Sequence, residues 1–155
     1  MSFSWYSGQG PNFAPAYQVS GIPFVTSSAG RIAADAQPTH IVFPNVTKSI
    51  MIKNTGNYSL RVAFTKSGSY APGETIPGGG TTPADHPANY FIIPPCDTGA
   101  GVADAPPSVF DVRCKEIFLR SNSATQQAPF SMYAALTGIE EFPVLTGSNG
   151  FKGVG

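Results

Sequence analysis

The sequence predicts an all-β fold: a two-sheet β-sandwich of short strands, joined by long loops and flanked by an extended arm at each end. Three observations carry this expectation. The 155 residues include 17 glycines and 15 prolines, which interrupt the chain too often for long helices. Between them lie short runs rich in β-branched and aromatic side chains, several alternating apolar with polar residues. No segment repeats apolar residues with a period of 3.6, and Arg31–Ala36 has room for one helical turn at most.

Residues 1–20 mix Trp5, Tyr6, Phe13 and Tyr17 with glycine, proline, serine and glutamine, and read as an arm that packs on this subunit or on a neighbour. Gly21–Thr26 reads as a first strand, with Pro23 suited to an edge because it cannot donate to a ladder. Thr39–Phe43 is a second strand, closed by Pro44. In Lys48–Lys53, Ile50 and Ile52 share one face and Ser49, Met51 and Lys53 the other. In Ser59–Thr65, Leu60, Val62 and Phe64 point inward, with Arg61, Ala63 and Thr65 outward. Asn54-Thr55-Gly56-Asn57-Tyr58 between them has the composition of a tight reversal, so the pair reads as a β-hairpin.

Residues 66–88 hold four prolines and the run Gly78-Gly79-Gly80, show no period, and read as a long loop with a flexible glycine linker. Strands resume at Asn89–Ile93. A second irregular stretch runs from Pro94 to Pro107. Ser108–Val112, Lys115–Arg120 and Pro129–Thr137 complete about eight strands. Ile117 and Leu119 face inward, as do Phe130, Met132, Ala134 and Leu136, with Tyr133 opposite. Eight strands in two sheets point to a single jelly roll. The expected organisation is an arm over 1–20, one domain over 21–137 containing the 66–88 loop, and a glycine-rich tail over 138–155.

Composition narrows the function. Nine basic and nine acidic residues leave a net charge of zero. Nucleic-acid binding needs a cationic excess to displace counterions, and docking on anionic lipid needs the same. No apolar stretch is long enough to span a membrane, and the first residues lack the pattern of a secretory signal, so cytosolic synthesis is expected. So little charge resists self-association poorly and points to a subunit covered by neighbours.

The residues that carry chemistry are sparse. His40, His86, Cys96 and Cys114 match no compact metal-ligand spacing, and no metal or other cofactor is expected. With an export signal lacking, the two thiols are expected to stay unbridged. Asp35, Glu74, Asp85, Asp97, Asp104, Asp111, Glu116, Glu140 and Glu141 lie mostly in loops and form no recognisable acid–base pair. There is no nucleophile elbow, and the glycine run is not followed by the Lys-Ser/Thr of a phosphate loop. An enzyme built on Cys114 and His86 is therefore a remote alternative. Two glycosylation sequons, at Asn45 and Asn57, flank the expected hairpin and are expected to be unused. A carbohydrate platform of Trp5, Tyr6, Tyr58, Tyr70 and Tyr90 is a sharper rival.

The runs Phe43-Pro44-Asn45-Val46-Thr47-Lys48-Ser49-Ile50, Lys53-Asn54-Thr55-Gly56 and Leu60-Arg61-Val62-Ala63-Phe64 resemble small capsid proteins of large icosahedral double-stranded DNA viruses, especially algal ones. So do Ile117-Phe118-Leu119-Arg120-Ser121, Leu136-Thr137-Gly138-Ile139 and the terminal Gly150–Gly155. The resemblance spans roughly residues 20–155 and leaves the 66–88 insertion unmatched. It implies a single jelly roll without enzymatic activity, located in the virion. Its expected role is the penton, five copies closing each vertex, with the major and minor capsid proteins as further partners. A minor capsid or fibre-like protein is the alternative. Subunit contacts are expected at Trp5, Tyr6 and Phe13 in the arm, Tyr70 in the long loop, and Phe142 and Phe151 in the tail.

Overall fold

A computed structural model of the chain describes residues 21–32, 37–96 and 105–154. The arm, with Trp5, Tyr6 and Phe13, lies outside these residues, as do positions 33–36 of the expected turn and 97–104 of the second irregular stretch. The strands are β1 (Ile22–Gly30), β2 (Thr39–Val42), β3 (Thr47–Asn54), β4 (Leu60–Ala63), β5 (Thr75–Ile76), β6 (Gly80–Thr81), β7 (Tyr90–Ile93), β8 (Ser108–Phe110), β9 (Glu116–Ser121) and β10 (Ala128–Leu136). They form two antiparallel four-stranded sheets, β1-β10-β3-β8 and β2-β9-β4-β7, and a small ribbon, β5-β6.

The pairing has a simple rule. Counting inward from the ends, β1 pairs with β10, β2 with β9, β3 with β8 and β4 with β7. The first half of the domain therefore runs antiparallel to the second half as one long ribbon. That ribbon is folded over so that β10 also meets β3 and β9 also meets β4, which closes the two sheets. The inner faces carry the side chains that alternation selects: Ile50, Ile52, Phe130, Met132 and Leu136 from the first sheet, and Leu60, Val62, Ile93, Ile117 and Leu119 from the second. Phe43 is fully buried between them, edge-on to Phe24 at 5.3 Å. At one edge Phe91 of β7 and Phe110 of β8 meet edge-to-face at 5.3 Å and link the sheets.

The expected hairpin over residues 48–65 is not formed. β3 and β4 belong to different sheets, and residues 55–59 arch from one sheet to the other. The reason is visible at Asn54, whose buried amide donates to Tyr58 O at 2.7 Å and Pro94 O at 3.1 Å and accepts from Gly56 N at 3.0 Å. Thr55 N bonds Pro129 O, and Cys96 N bonds Gly56 O. A Cβ on Gly56 would stand 2.5 Å from the Pro129 ring, so this glycine permits close approach to β10. The arch is thus stitched to both sheets.

Residues 66–88 are built, contrary to the linker expectation. Ser67–Ser69 form a 3₁₀ turn with Gly68 and Ser69 buried. Two Pro-Gly turns follow, at Ala71-Pro72-Gly73-Glu74 and Ile76-Pro77-Gly78-Gly79. Each closes with an N–H to C=O bond, and Gly73 and Gly78 both have φ of 75°. Proline at the second position and a left-handed glycine at the third are the requirements of a type II turn. The second turn caps the β5-β6 ribbon, so the glycine run forms a chain reversal.

This segment covers the two central strands of the second sheet, β4 and β9, on their outer side, while outward Val42 on β2 and Ile92 on β7 stay exposed. Arg61 and Arg120 are directly opposite each other on β4 and β9, and both are buried, Arg120 completely. Like charges in that position repel. Glu74 reaches down between them, with Oε1 accepting from Arg61 at 2.7 Å and Oε2 from Arg120 at 3.0 Å. Ala71 N also donates to Glu74 Oε2 at 2.9 Å, and Arg61 Nε donates to Asn122 Oδ1 at 2.8 Å. The Arg120 guanidinium lies 4.4 Å over the Tyr70 ring and the Arg61 guanidinium 4.7 Å over Tyr90. Burial pulls Arg120 below its ordinary pKa, against the opposing pull of Glu74. The outward positions Arg61, Ala63 and Thr65, expected to meet solvent, are buried under this cover.

Glu74→Ala leaves two buried guanidinium groups without their shared carboxylate. The expected loss is about 3 kcal/mol of stability in urea denaturation, with new proteolytic cleavage within 66–88. Unchanged stability and protection would contradict the clamp.

Candidate assembly interface

The structure separates the three described residues that the sequence assigns to subunit contact. Tyr70 is only 1% exposed and packs beneath Arg120 within its own subunit. Its expected role in a neighbour's contact gives way to an internal one, because the 66–88 segment folds onto the sheet. Burial also pushes its phenol above the ordinary pKa. Phe142 and Phe151 come together, ring centroids 6.2 Å apart and tilted 38°. The tail that carries them folds back on the sandwich. Ile139 is buried against Val46, with Val46 N donating to Ile139 O at 2.8 Å, and Thr65 Oγ1 donates to Val154 O.

Beside the folded tail lies an open cleft of about 610 Å³. Phe64 from the end of β4, Val112 just after β8, and Phe142, Leu145, Phe151 and Val154 from the tail make it predominantly apolar, with Asp111 and Arg113 supplying charge. Its position follows from the sheet register. Leu136 at the end of β10 pairs with both Ile22 of β1 and Thr47 of β3, and Thr47 Oγ1 donates to Val112 O at 2.6 Å. Chain entry into β1 and the cleft therefore share one end of the sandwich. β1 is one edge strand of the first sheet, and cleft residues Asp111–Arg113 follow β8, the other.

The outer face of the first sheet carries a feature that sequence reading missed. Val25, Tyr133, Met51 and Val109 are consecutive Cα partners across β1, β10, β3 and β8. All four are exposed, at 71%, 37%, 38% and 61% in that order. An apolar row therefore crosses the entire sheet, and its two most exposed members stand on the edge strands. Alternation shows each of these residues to be outward, but only the register aligns them. Such a row is favourable to cover.

The residues with chemical potential do not converge. His40 stacks on Phe118 at 4.4 Å and its Nε2 lies 2.7 Å from Glu116 Oε2. His86 Nε2 lies 3.2 Å from Ser67 O, in the long loop. No disulfide joins half-buried Cys96 to buried Cys114. Among the described residues, no group of three or more His, Cys, Asp or Glu side chains is placed to hold a metal ion. Of the described aromatics of the carbohydrate platform, Tyr58 is exposed in the arch, while Tyr70 and Tyr90 lie against the paired arginines Arg120 and Arg61. Among the described residues, no helix is long and apolar enough to cross a membrane.

No protein-family model, curated protein or solved structure matches this chain.

Cys114 is held as a protonated core thiol. Burial pushes its pKa up to about 11, against the opposing pull of the hydrogen bond it shares with Thr47. An activated nucleophile needs the reverse shift. An unfolded thiol ionises near about 8.5. Between that value and about 11 the folded state keeps a proton that the unfolded state loses. Stability from this group is full below the lower value and falls as pH rises through the window, by roughly 3 kcal/mol. Urea unfolding across this range should show a drop that Cys114→Ala reduces. An identical pH slope in the variant would contradict the assignment.

Proposed function

We propose that this chain is a structural subunit of an icosahedral viral shell, placed as the penton at the five-fold vertices. It holds shell geometry and performs no reaction. The jelly roll belongs to the same proposal. Its support is the mirror-order pairing of eight strands, since a long antiparallel ribbon folded over itself generates that fold from two Greek keys. The sequence resemblance to small capsid proteins of large double-stranded DNA viruses points the same way.

The observation that carries the assembly reading is the apolar row Val25-Tyr133-Met51-Val109. Residues 66–88 cover the central strands of the second sheet, while the row on the first is exposed on all four strands. Because the row reaches both edge strands, each edge offers an exposed valine to a neighbour. Edges of different sequence meeting head to tail form a heterologous contact, which closes a ring when the rotation allows. A net charge of zero lets identical subunits approach without mutual repulsion. The major and minor capsid proteins are the further partners of such a ring, and the virion is its location.

Sedimentation velocity of the purified chain tests this directly. The expected result is a pentamer in reversible equilibrium with monomer. Val25→Lys and Val109→Lys shift it toward monomer while changing the stability of the fold by no more than about 0.5 kcal/mol, since both positions are exposed. A chain that stays monomeric at all concentrations, or variants that associate as the parent does, would contradict the proposal.

A further inference from the structure

The cleft beside the tail has the character of a receptor for an apolar peptide segment. Its walls are aromatic and aliphatic, contributed by Phe64, Val112, Phe142, Leu145, Phe151 and Val154. The chain itself contains a segment of matching chemistry. Residues 1–20 carry Phe3, Trp5, Tyr6, Phe13 and Tyr17 together with Pro11 and Pro15, and contain no Asp, Glu, Lys, Arg or His. Aromatic-lined grooves take proline-containing segments because extended proline loses little conformational entropy on docking. An uncharged segment also enters an apolar cleft without the desolvation cost of a charge.

We infer that residues 1–20 of one copy dock in the cleft of the adjacent copy, with Phe142 and Phe151 as the receiving aromatics. This inference rests on the ring assembly proposed above and names the contact that joins its members. The sheet order supplies the direction. Gly21 leads into β1 at one edge of the first sheet, and cleft residues 111–113 directly follow β8 at the other edge. Both lie at the same end of the sandwich. When two copies stand side by side in a ring, the edge that emits the segment faces the β8 edge of the neighbour, from which the chain runs directly into its cleft wall at Asp111–Arg113. Reach is sufficient: the eight residue-to-residue steps from Phe13 to Gly21 extend to ~27 Å, against ~14 Å across a four-stranded sheet. Donor and receptor are different surfaces, so every copy gives one segment and takes one, as a closed ring requires.

Trp5 is the chain's single tryptophan, so its fluorescence reports this segment alone. The experiment follows acrylamide quenching of Trp5 in the complete chain across the concentration range of association, with sedimentation measured on the same samples. Trp5 should become shielded in step with association. Phe151→Ser should re-expose it and weaken association roughly tenfold or more, as truncation of a central aromatic anchor does. A second measurement leaves the cleft unaltered: a benzophenone photo-cross-linker replaces Phe13, and heavy-isotope and unlabelled chains are mixed. Adducts joining heavy to light chains at residues 111–113 or 142–154 are expected. Association with Trp5 exposed throughout would overturn the docking and leave the ring standing. Absence of any association would overturn the ring itself. Trp5 shielded in a monomer, with adducts confined to single chains, would place the segment in its own cleft and overturn the exchange between copies.

Discussion

One carboxylate between two facing arginines determines which surfaces this protein has to offer. Arg61 and Arg120 are cross-strand partners in the second sheet, and their side chains leave that sheet on its outer side. Without Glu74 they would be a buried like-charge pair. With it they become the anchor of residues 66–88, which lie over the sheet as a third layer. Tyr70 and Tyr90 complete the arrangement by presenting ring faces to the two guanidinium groups. The sandwich becomes asymmetric: the central strands of the second sheet are covered, whereas the outward row of the first is exposed on all four strands.

That asymmetry gives the remaining features their meaning. The open face carries an apolar row from edge to edge, and one end of the same sheet bears an apolar cleft formed with the folded tail. The cleft lies where the ends of both sheets meet the tail, since Phe64 follows β4 of the second sheet and Asp111–Arg113 follow β8 of the first. The described tail is tied to the sandwich through Ile139 on Val46 and Val154 on Thr65. Its aromatic rings remain half-buried and form part of the cleft.

Much of the fold was legible in the sequence, and the reason is local. Alternation in Lys48–Lys53 and Pro129–Thr137 places Ile50, Ile52, Phe130 and Met132 inward because side-chain direction along a strand has a period of two. Partner choice has no such local signature. Asn54–Tyr58 has the composition of a hairpin turn, yet the same residues serve an arch between sheets, since β3 and β4 present apolar faces to one core either way. The burial of Arg61 and Tyr70 was hidden for the same reason: it depends on Glu74 meeting Arg120 across 46 positions of sequence. Of the candidate site, apolar character in an irregular tail singles out Phe142 and Phe151 one by one, but their meeting at 6.2 Å has no local signature. The row through Val25 and Val109 needed the register of four strands, which composition does not encode. The Pro-Gly turns at 71–74 and 76–79 were open to reading, and the glycine run obscured them.

The account turns on association through the two edges of the first sheet. Electron-microscopy class averages of the 155-residue chain test this most directly. A closed five-membered ring with the β1 edge of each copy against the β8 edge of the next is the predicted image. A two-fold dimer joined through the covered faces of the second sheets, or rings whose β1 and β8 edges lie free at the periphery, would contradict it.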